Sequence, residues 1–285
     1  MTIEWLATYQ PLIVPIMLGL TILLETVKPL AQSDVQRWRH ARRNIGITVL
    51  AFVAFGALGG LKAAASGWVT MRRVGLLHAA PLSWIVRIMA SFLAIDLVDY
   101  LGHRLQHGWG WLWRFHRIHH SDARLDATSS LRFHPVEAIV EVAYQSAAVL
   151  VFGIELDAIV LFDTVLLAML YLQHANVDWP EPLDRAARLV FVTPDVHHVH
   201  HSRDAQFTNS NFADLFTLWD RLLGTYREAP DRRRIAYGLS QFDADSFQTI
   251  KGMALMPLAP LEPEPDETIA VDARHAMAAS SSLRN

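Results

Sequence analysis

The sequence predicts an all-α, membrane-embedded protein. Three spanning helices and a helical hairpin, four to five membrane helices in all, carry a cytoplasmic, histidine-rich helical cap. Three observations support this. Of the 285 residues, 52% are apolar and only 19% charged. The apolar residues gather in long runs, and about 20 residues cross a hydrocarbon core at about 1.5 Å each. The 14 histidines collect in pieces with helical spacing.

The first run, 9–27, holds one charge, Glu25. It lacks the basic start and small-residue cleavage site of a signal peptide, so it is expected to stay as a helix. The second, 45–61, is uncharged and spans with its flanks. The third, 81–101, is interrupted by Arg87, Asp96 and Asp99. The stretch 135–174 reads as two helices turning near Gly153, with both ends on one side whether it crosses or re-enters. Soluble helices rarely show charge-free runs this long, which disfavours a merely large core. Lys28, Arg37, Arg39, Arg42 and Arg43 follow the first run, and Arg104, Arg114, Arg117, Arg124 and Arg132 follow the third. Only Lys62, Arg72 and Arg73 follow the second, so the first and third loops are expected to be cytoplasmic. One domain is expected over 1–256, with a histidine core at 96–226. The Pro-, Glu-, Ala- and Ser-rich stretch 257–285 is expected to be disordered.

A net charge of −3 gives no basic field, so no nucleic-acid partner is expected. The absence of cysteine excludes disulfides, thiolate metal sites and cysteine nucleophiles. Nine tryptophans suit anchors at a bilayer interface.

The histidines carry the chemistry. His103 and His107 form H-x3-H. His116, His119 and His120 form H-x2-H-H, and His197, His200 and His201 repeat it. His174 stands alone in Gln-His-Ala-Asn. Residues at i, i+3 and i+4 share a helix face, so each multi-histidine piece aims its rings one way. One H-x2-H-H is expected by chance only ~0.03 times at this composition, so two are a pattern. All four pieces can meet at one membrane face, the cytoplasmic one. Imidazole suits iron, zinc, copper or nickel, and nine histidines are too many for one ion but suit two. The paired Glu-x-x-His of carboxylate di-iron bundles and the H-E-x-x-H of zinc proteases are both absent.

Supporting groups can be named. Asp99 lies four residues before His103 and is expected either to accept its free ring N–H or to pair with an arginine. Asp96, deeper in the membrane, needs a partner. Thr193-Pro194-Asp195 reads as an N-cap, a first-turn proline and a first-turn acid. His134, in Arg-Phe-His-Pro, is either a tenth ligand or a structural hydrogen-bonding group. Asn176 either reaches a metal through water or caps a turn, and Asp178 is a turn residue. His198 is off the shared face, and His40, His78 and His275 are isolated. Glu137 and Glu141 line the hairpin's entrance. No catalytic residue is assigned beyond the ligands.

With these motifs in place, the chain resembles the fatty acid hydroxylase superfamily, also called the sterol desaturase family. The resemblance covers 96–226 and rests on several blocks in order. They are Asp-Leu-Val-Asp-Tyr before His-Arg-Leu-Gln-His, Trp-Arg-Phe-His-Arg-Ile-His-His-Ser, Arg-Phe-His-Pro, His-Ala-Asn, Thr-Pro-Asp-Val-His-His-Val-His-His-Ser and Trp-Asp-Arg-Leu-Leu-Gly-Thr-Tyr. It implies a multi-pass membrane enzyme with two non-haem iron ions, for which zinc can substitute in samples. It also implies O2 as co-substrate and oxidation of a lipid C–H bond, by hydroxylation or desaturation. A sterol, a fatty acyl chain and an alkyl lipid are all candidate substrates. The family's metal motifs fall on the nine histidines above. Fatty acid 2-hydroxylases of this superfamily carry a further H-x3-H near the third piece. Here Asp178 stands three intervening residues after His174, which argues against that branch. No dinucleotide, flavin or cytochrome b5-like motif is present, so electrons are expected from a ferredoxin- or cytochrome-type partner with its reductase. The rival readings are a membrane zinc hydrolase and a metal-binding or transport protein. The first lacks a carboxylate placed among the ligands, and the second should carry ligands near mid-membrane.

Overall fold

The computed structural model describes residues 3–32, 36–228 and 232–261. Among these, helices supply all the extended regular structure, and β pairing is confined to three isolated bridges. In chain order the α-helices are α1 (Ile3–Val27), α2 (Arg37–Arg72), α3 (Trp84–Gly108), α4 (Gly110–His120), α5 (Pro135–Phe152) and α6 (Leu156–His174). The short helices α7 (Glu181–Ala187), α8 (Pro194–His200), α9 (Ala205–Thr208), α10 (Leu218–Leu222) and α11 (Ile250–Leu255) follow.

Four segments are long and apolar enough to cross a membrane: Trp5–Val27, Arg37–His78, Pro135–Phe152 and Leu156–His174. Their outer surfaces are apolar, with Leu12, Ile16 and Leu20 of α1 and Phe52, Val53 and Leu61 of α2 exposed. Such a belt is costly in water and natural in lipid. The expected third span is not among the four. In α3, Arg87, Asp96, Asp99 and Arg104 put too much charge into every long window. Its two acids are buried inside the protein instead. The expected hairpin is present. α5 and α6 meet at Gly153, whose φ of 73° lies in the left-handed region. A Cβ there would come within 2.5 Å of the Val74 carbonyl, so the turn requires glycine.

Four of the five basic residues after the first run are not in a loop. Arg37, Arg39, Arg42 and Arg43 fall on the first turns of α2. Arg37 pairs with Glu25 of α1 at 2.8 Å and Arg43 with Asp245 at 2.6 Å. The described chain continues past the expected tail boundary at 257. Arg117 donates to the carbonyls of Met256, Ala259 and Pro260, and Arg114 to those of Pro257 and Ala259, which holds 256–260 against α4. Residues 262–285, with His275, lie outside the described residues.

Three apolar clusters set the layers. One packs α3, α5 and α6 through Ile95, Val149 and Phe162. A second seats Ile118 of α4 against Phe242, Met253 and Met256. The third joins Tyr100 of α3 to Val192, Val196 and Phe212. Asp96 ties these layers together. Its carboxylate accepts from Leu215 N (2.9 Å), Phe216 N (3.2 Å) and Trp219 Nε1 (2.9 Å). That is the partner a buried acid needs. Asp96→Ala is expected to strand one buried and two partly buried donors and cost about 3 kcal/mol. A fall in the detergent-phase melting temperature checks this, and an unchanged transition would overturn it.

Candidate metal centre

The four histidine pieces converge on one place. α3 ends on His103 and His107, and an extended Trp109 breaks the helix so that α4 folds back along it. His116 and His120 of α4 then face His103 and His107. The hairpin returns through α6 to deliver His174 at its last residue. α8 completes the set. Thr193 has N-cap backbone geometry without a side-chain bond, and Pro194 occupies the first turn as expected. Asp195 in that turn pairs with Arg232 at 2.9 Å and Arg188 at 3.4 Å.

The nine rings sort into two groups that could each hold an ion: His103, His107, His116, His120 and His200, and His119, His174, His197 and His201. Within each group the candidate nitrogens lie within 4.8 Å of one another. The two H-x2-H-H motifs divide reciprocally. The i,i+4 pair of α4 serves the first group and its i+3 ring the second. For α8 the i,i+4 pair serves the second group and the i+3 ring the first. Each motif therefore contributes to both groups, which fixes the groups side by side.

The spacing fits metal ions. Successive Nε2 atoms of the first group are 3.2 Å (His107–His120), 3.1 Å (His120–His116), 3.1 Å (His116–His103) and 3.0 Å (His103–His200) apart. In the second they are 3.1 Å (His119–His174), 3.0 Å (His174–His197) and 3.1 Å (His197–His201). Nitrogens about 2.0–2.1 Å from one ion stand about 2.9 Å apart at right angles and about 3.4 Å apart in a tetrahedron. Hydrogen bonding alone does not explain these contacts. His103 Nδ1 lies 2.8 Å from the Phe212 carbonyl and His200 Nδ1 2.7 Å from the Ser210 carbonyl. Carbonyls only accept, so both Nδ1 atoms donate. In neutral rings both Nε2 atoms are then lone pairs, facing each other at 3.0 Å. A cation between them resolves the repulsion.

Burial, and then the neighbouring rings, hold His107, His116, His119, His120, His197, His200 and His201 well below the usual imidazole range. They stay neutral, as ligands must. For His103, burial also pulls down, but Asp214 and the Phe212 carbonyl outweigh it and raise the ring.

The outer contacts differ from expectation. Asp99 does not reach His103. Its Oδ1 accepts from Gln145 Nε2 at 2.9 Å, and its buried Oδ2 has no hydrogen-bond partner. Among the described residues no arginine pairs with it either. The carboxylate beside His103 is Asp214, 3.5 Å from Nδ1. Glu137 lies 2.6 Å from His116 Nδ1, and Leu170 O accepts from His174 Nδ1 at 2.8 Å. His134 is in neither group. It caps α5, its Nδ1 accepting from Val136 N at 3.1 Å, while its own N–H meets the second oxygen of Glu137 at 3.5 Å. Asn176 is also elsewhere, bridging both backbone groups of Ala31 at 3.0 and 2.9 Å. Asp178 pairs with Arg233. His198 turns away to Tyr237 at 2.8 Å, His40 lies between Asp122 and Asp126, and His78 lies beside Arg87. Nothing in the spacing of Glu137 or Asp214 marks them. Only a position at the start of the hairpin, on the histidine side, hinted at the first.

A helical, largely apolar fold holding two adjacent all-nitrogen clusters defines a histidine-rich protein with a candidate metal centre. Residues 88–225, which contain all nine histidines, match the fatty acid hydroxylase family, so the chain carries a fatty acid hydroxylase domain. The ornithine lipid hydroxylase OlsE of Rhizobium tropici is 36% identical over 60% of this chain and 51% of its own length. The alkylglycerol monooxygenase of Danio rerio is 29% identical over 53% of this chain and 32% of its own. The cholesterol 25-hydroxylase of Rattus norvegicus is 29% identical over 53% and 50%. The chain therefore spans about half the length of these relatives, or less. No solved structure matches it.

Proposed function

We propose that this protein is a multi-pass membrane oxygenase that uses two iron ions and O2 to hydroxylate a C–H bond of a lipid. The observation that carries the reading is the pair of adjacent nitrogen clusters built reciprocally by α4 and α8. His103, His107, His116, His120 and His200 would hold one ion, and His119, His174, His197 and His201 the other. Bound there, iron would supply O2 activation and C–H oxidation; zinc suits the same nitrogens but has no redox chemistry.

The chain's own residues do the rest. Carbonyls of Phe212, Ser210 and Leu170 and the carboxylate of Glu137 accept hydrogen bonds from the Nδ1 N–H groups, which aims the Nε2 lone pairs inward. Burial of eight of the nine rings excludes bulk water from the centre. The clusters sit where α3 and α6 end, so a lipid between the helices can present an alkyl carbon directly to them. The names of the relatives support a lipid substrate, and sterol, fatty acyl and alkyl lipids all fit. Placing the cap in the cytoplasm would give the centre access to an electron-carrying partner. Lipid profiling by mass spectrometry of cells with and without the protein tests the reading. A lipid heavier by one oxygen, with 18O label taken from O2, is the expected result. A protein-dependent change that carries no label from O2 would sink it.

A further inference from the structure

A row of polar side chains runs from the nitrogen clusters into the bundle. Asp99 stands one turn before His103 on α3, about 6 Å along the helix. Glu141 stands one turn after Glu137 on α5. Gln145 joins the two acids. Its Oε1 accepts from Lys62 Nζ at 3.0 Å, and an ammonium can only donate. That contact fixes the amide, whose Nε2 donates to Asp99 Oδ1 at 2.9 Å and to Glu141 Oε1 at 3.4 Å. Tyr144 lies beside them, its ring so close to α3 that a Cβ on Gly102 would come within 2.7 Å of it.

These two carboxyls stand apart from the acids around them. Asp96 accepts from three N–H groups, Glu137 bonds His116, and Asp163 is paired with Lys62 at 2.8 Å. Asp214, which also acts on Asp99, has a side chain 22% exposed and lies beside the His103 ring. Asp99 and Glu141 share one amide and, among the described residues, make no ion pair. Asp99 Oδ2 is buried and has no hydrogen-bond partner. A carboxylate so placed is costly, and a proton on Oδ2 removes the cost.

The chemistry proposed above consumes protons. Hydroxylation breaks the O–O bond, places one oxygen in the new C–O–H and reduces the other to water. It takes two electrons, from one-electron carriers outside the chain, and two protons. Two ferric ions that accept those electrons each lose one unit of positive charge. In a buried centre of neutral rings, that change acts strongly on acids one turn away.

We infer that Asp99 and Glu141 are the proton store of the metal centre. Both are ionised opposite ferric ions, and each binds one proton as an electron arrives. The two protons leave with the oxygen that becomes water, and both acids return to carboxylates. The inference rests on the di-iron reading above. It also accounts for the row: Gln145 supports each ionised acid with one N–H, and Lys62, neutralised by Asp163, only orients the amide.

The test uses the full chain loaded with iron, with two ions per chain confirmed by elemental analysis. Electrons are added at an electrode in unbuffered solution with a pH-indicator dye, and the reduced-minus-oxidised infrared spectrum is recorded. Wild-type protein should show a protonated-carboxyl band that grows on reduction. Asp99→Asn and Glu141→Gln should each lose part of this band and take up about one proton fewer per chain, and the double variant about two fewer. The midpoint potential of each variant should depend less on pH than that of the wild type. Asp99→Glu should restore the proton, and Tyr144→Phe, with both carboxyls intact, should match the wild type. A merely structural role for the row would move none of these readings. A carboxyl band equal in both oxidation states would overturn the store, because the acids would then be permanently protonated. A full proton count in the double variant would overturn it too. Where an amide variant fails to hold two ions, wild-type protein carrying 13C-labelled aspartate decides, and a growing band that the label does not shift overturns the role of Asp99. Failure of the iron-loaded wild type to accept any electrons would instead remove the di-iron reading.

Discussion

Purified protein is expected to carry two metal ions per chain, and to lose one when either nitrogen group loses two of its rings. His103→Ala with His107→Ala leaves three nitrogens in the first group. His197→Ala with His201→Ala leaves two in the second. Elemental analysis should then find about one ion per chain, and product formation should fall by at least ~1000-fold, equivalent to about 4 kcal/mol of barrier. The second pair should release its ion more completely, because fewer rings remain. His198→Ala is the control. Its ring sits between the two metal-facing histidines of α8 in sequence, yet bonds Tyr237. It should keep both ions. A wild-type stoichiometry of one, or equal metal loss in His198→Ala, would mean that the two groups do not act as two sites.

Much of this centre was legible because helical periodicity converts sequence spacing into direction. H-x3-H and H-x2-H-H place rings on one face without any knowledge of the fold, and the off-face His198 follows from the same rule. His174 could be joined to the others because a hairpin must return to the side it left. What spacing cannot show is how a motif is shared. The split of each H-x2-H-H between two groups depends on α4 and α8 lying side by side, a tertiary fact. The supporting acids were misplaced for a similar reason. Asp99 is correctly spaced from His103 along α3, but a helix face is wide, and Gln145 from α5 takes its carboxylate first. Asp214, distant in sequence, fills the place beside His103. The third apolar run mixes two kinds of residue that hydropathy does not separate, exposed apolar ones such as Trp84, Ile85 and Met89 and acids that anchor a cap. Asp96, bonded to Leu215, Phe216 and Trp219, belongs to the second kind.

Glu137 should prove the most important residue outside the nine histidines. One of its oxygens meets His116 Nδ1 at 2.6 Å, and the other meets the His134 N–H that begins α5. The carboxylate thus fixes the tautomer of His116 and raises its basicity as a ligand, while a capping box holds the carboxylate in place. Glu137→Gln can satisfy only one of these donors, because its amide presents a single acceptor oxygen and turns an NH2 toward the other. Metal affinity should fall by about 10-fold for Gln and about 100-fold for Ala, read as dissociation constants by competition with a chelator. The paired test falls on His134. If it only caps α5, His134→Asn should keep nearly full metal affinity, since asparagine is a good N-cap. His134→Ala should lower the affinity modestly by loosening Glu137. Loss of an ion in His134→Asn, as deep as in the paired ligand variants, would instead make His134 a tenth ligand and leave Glu137 without its supporting role.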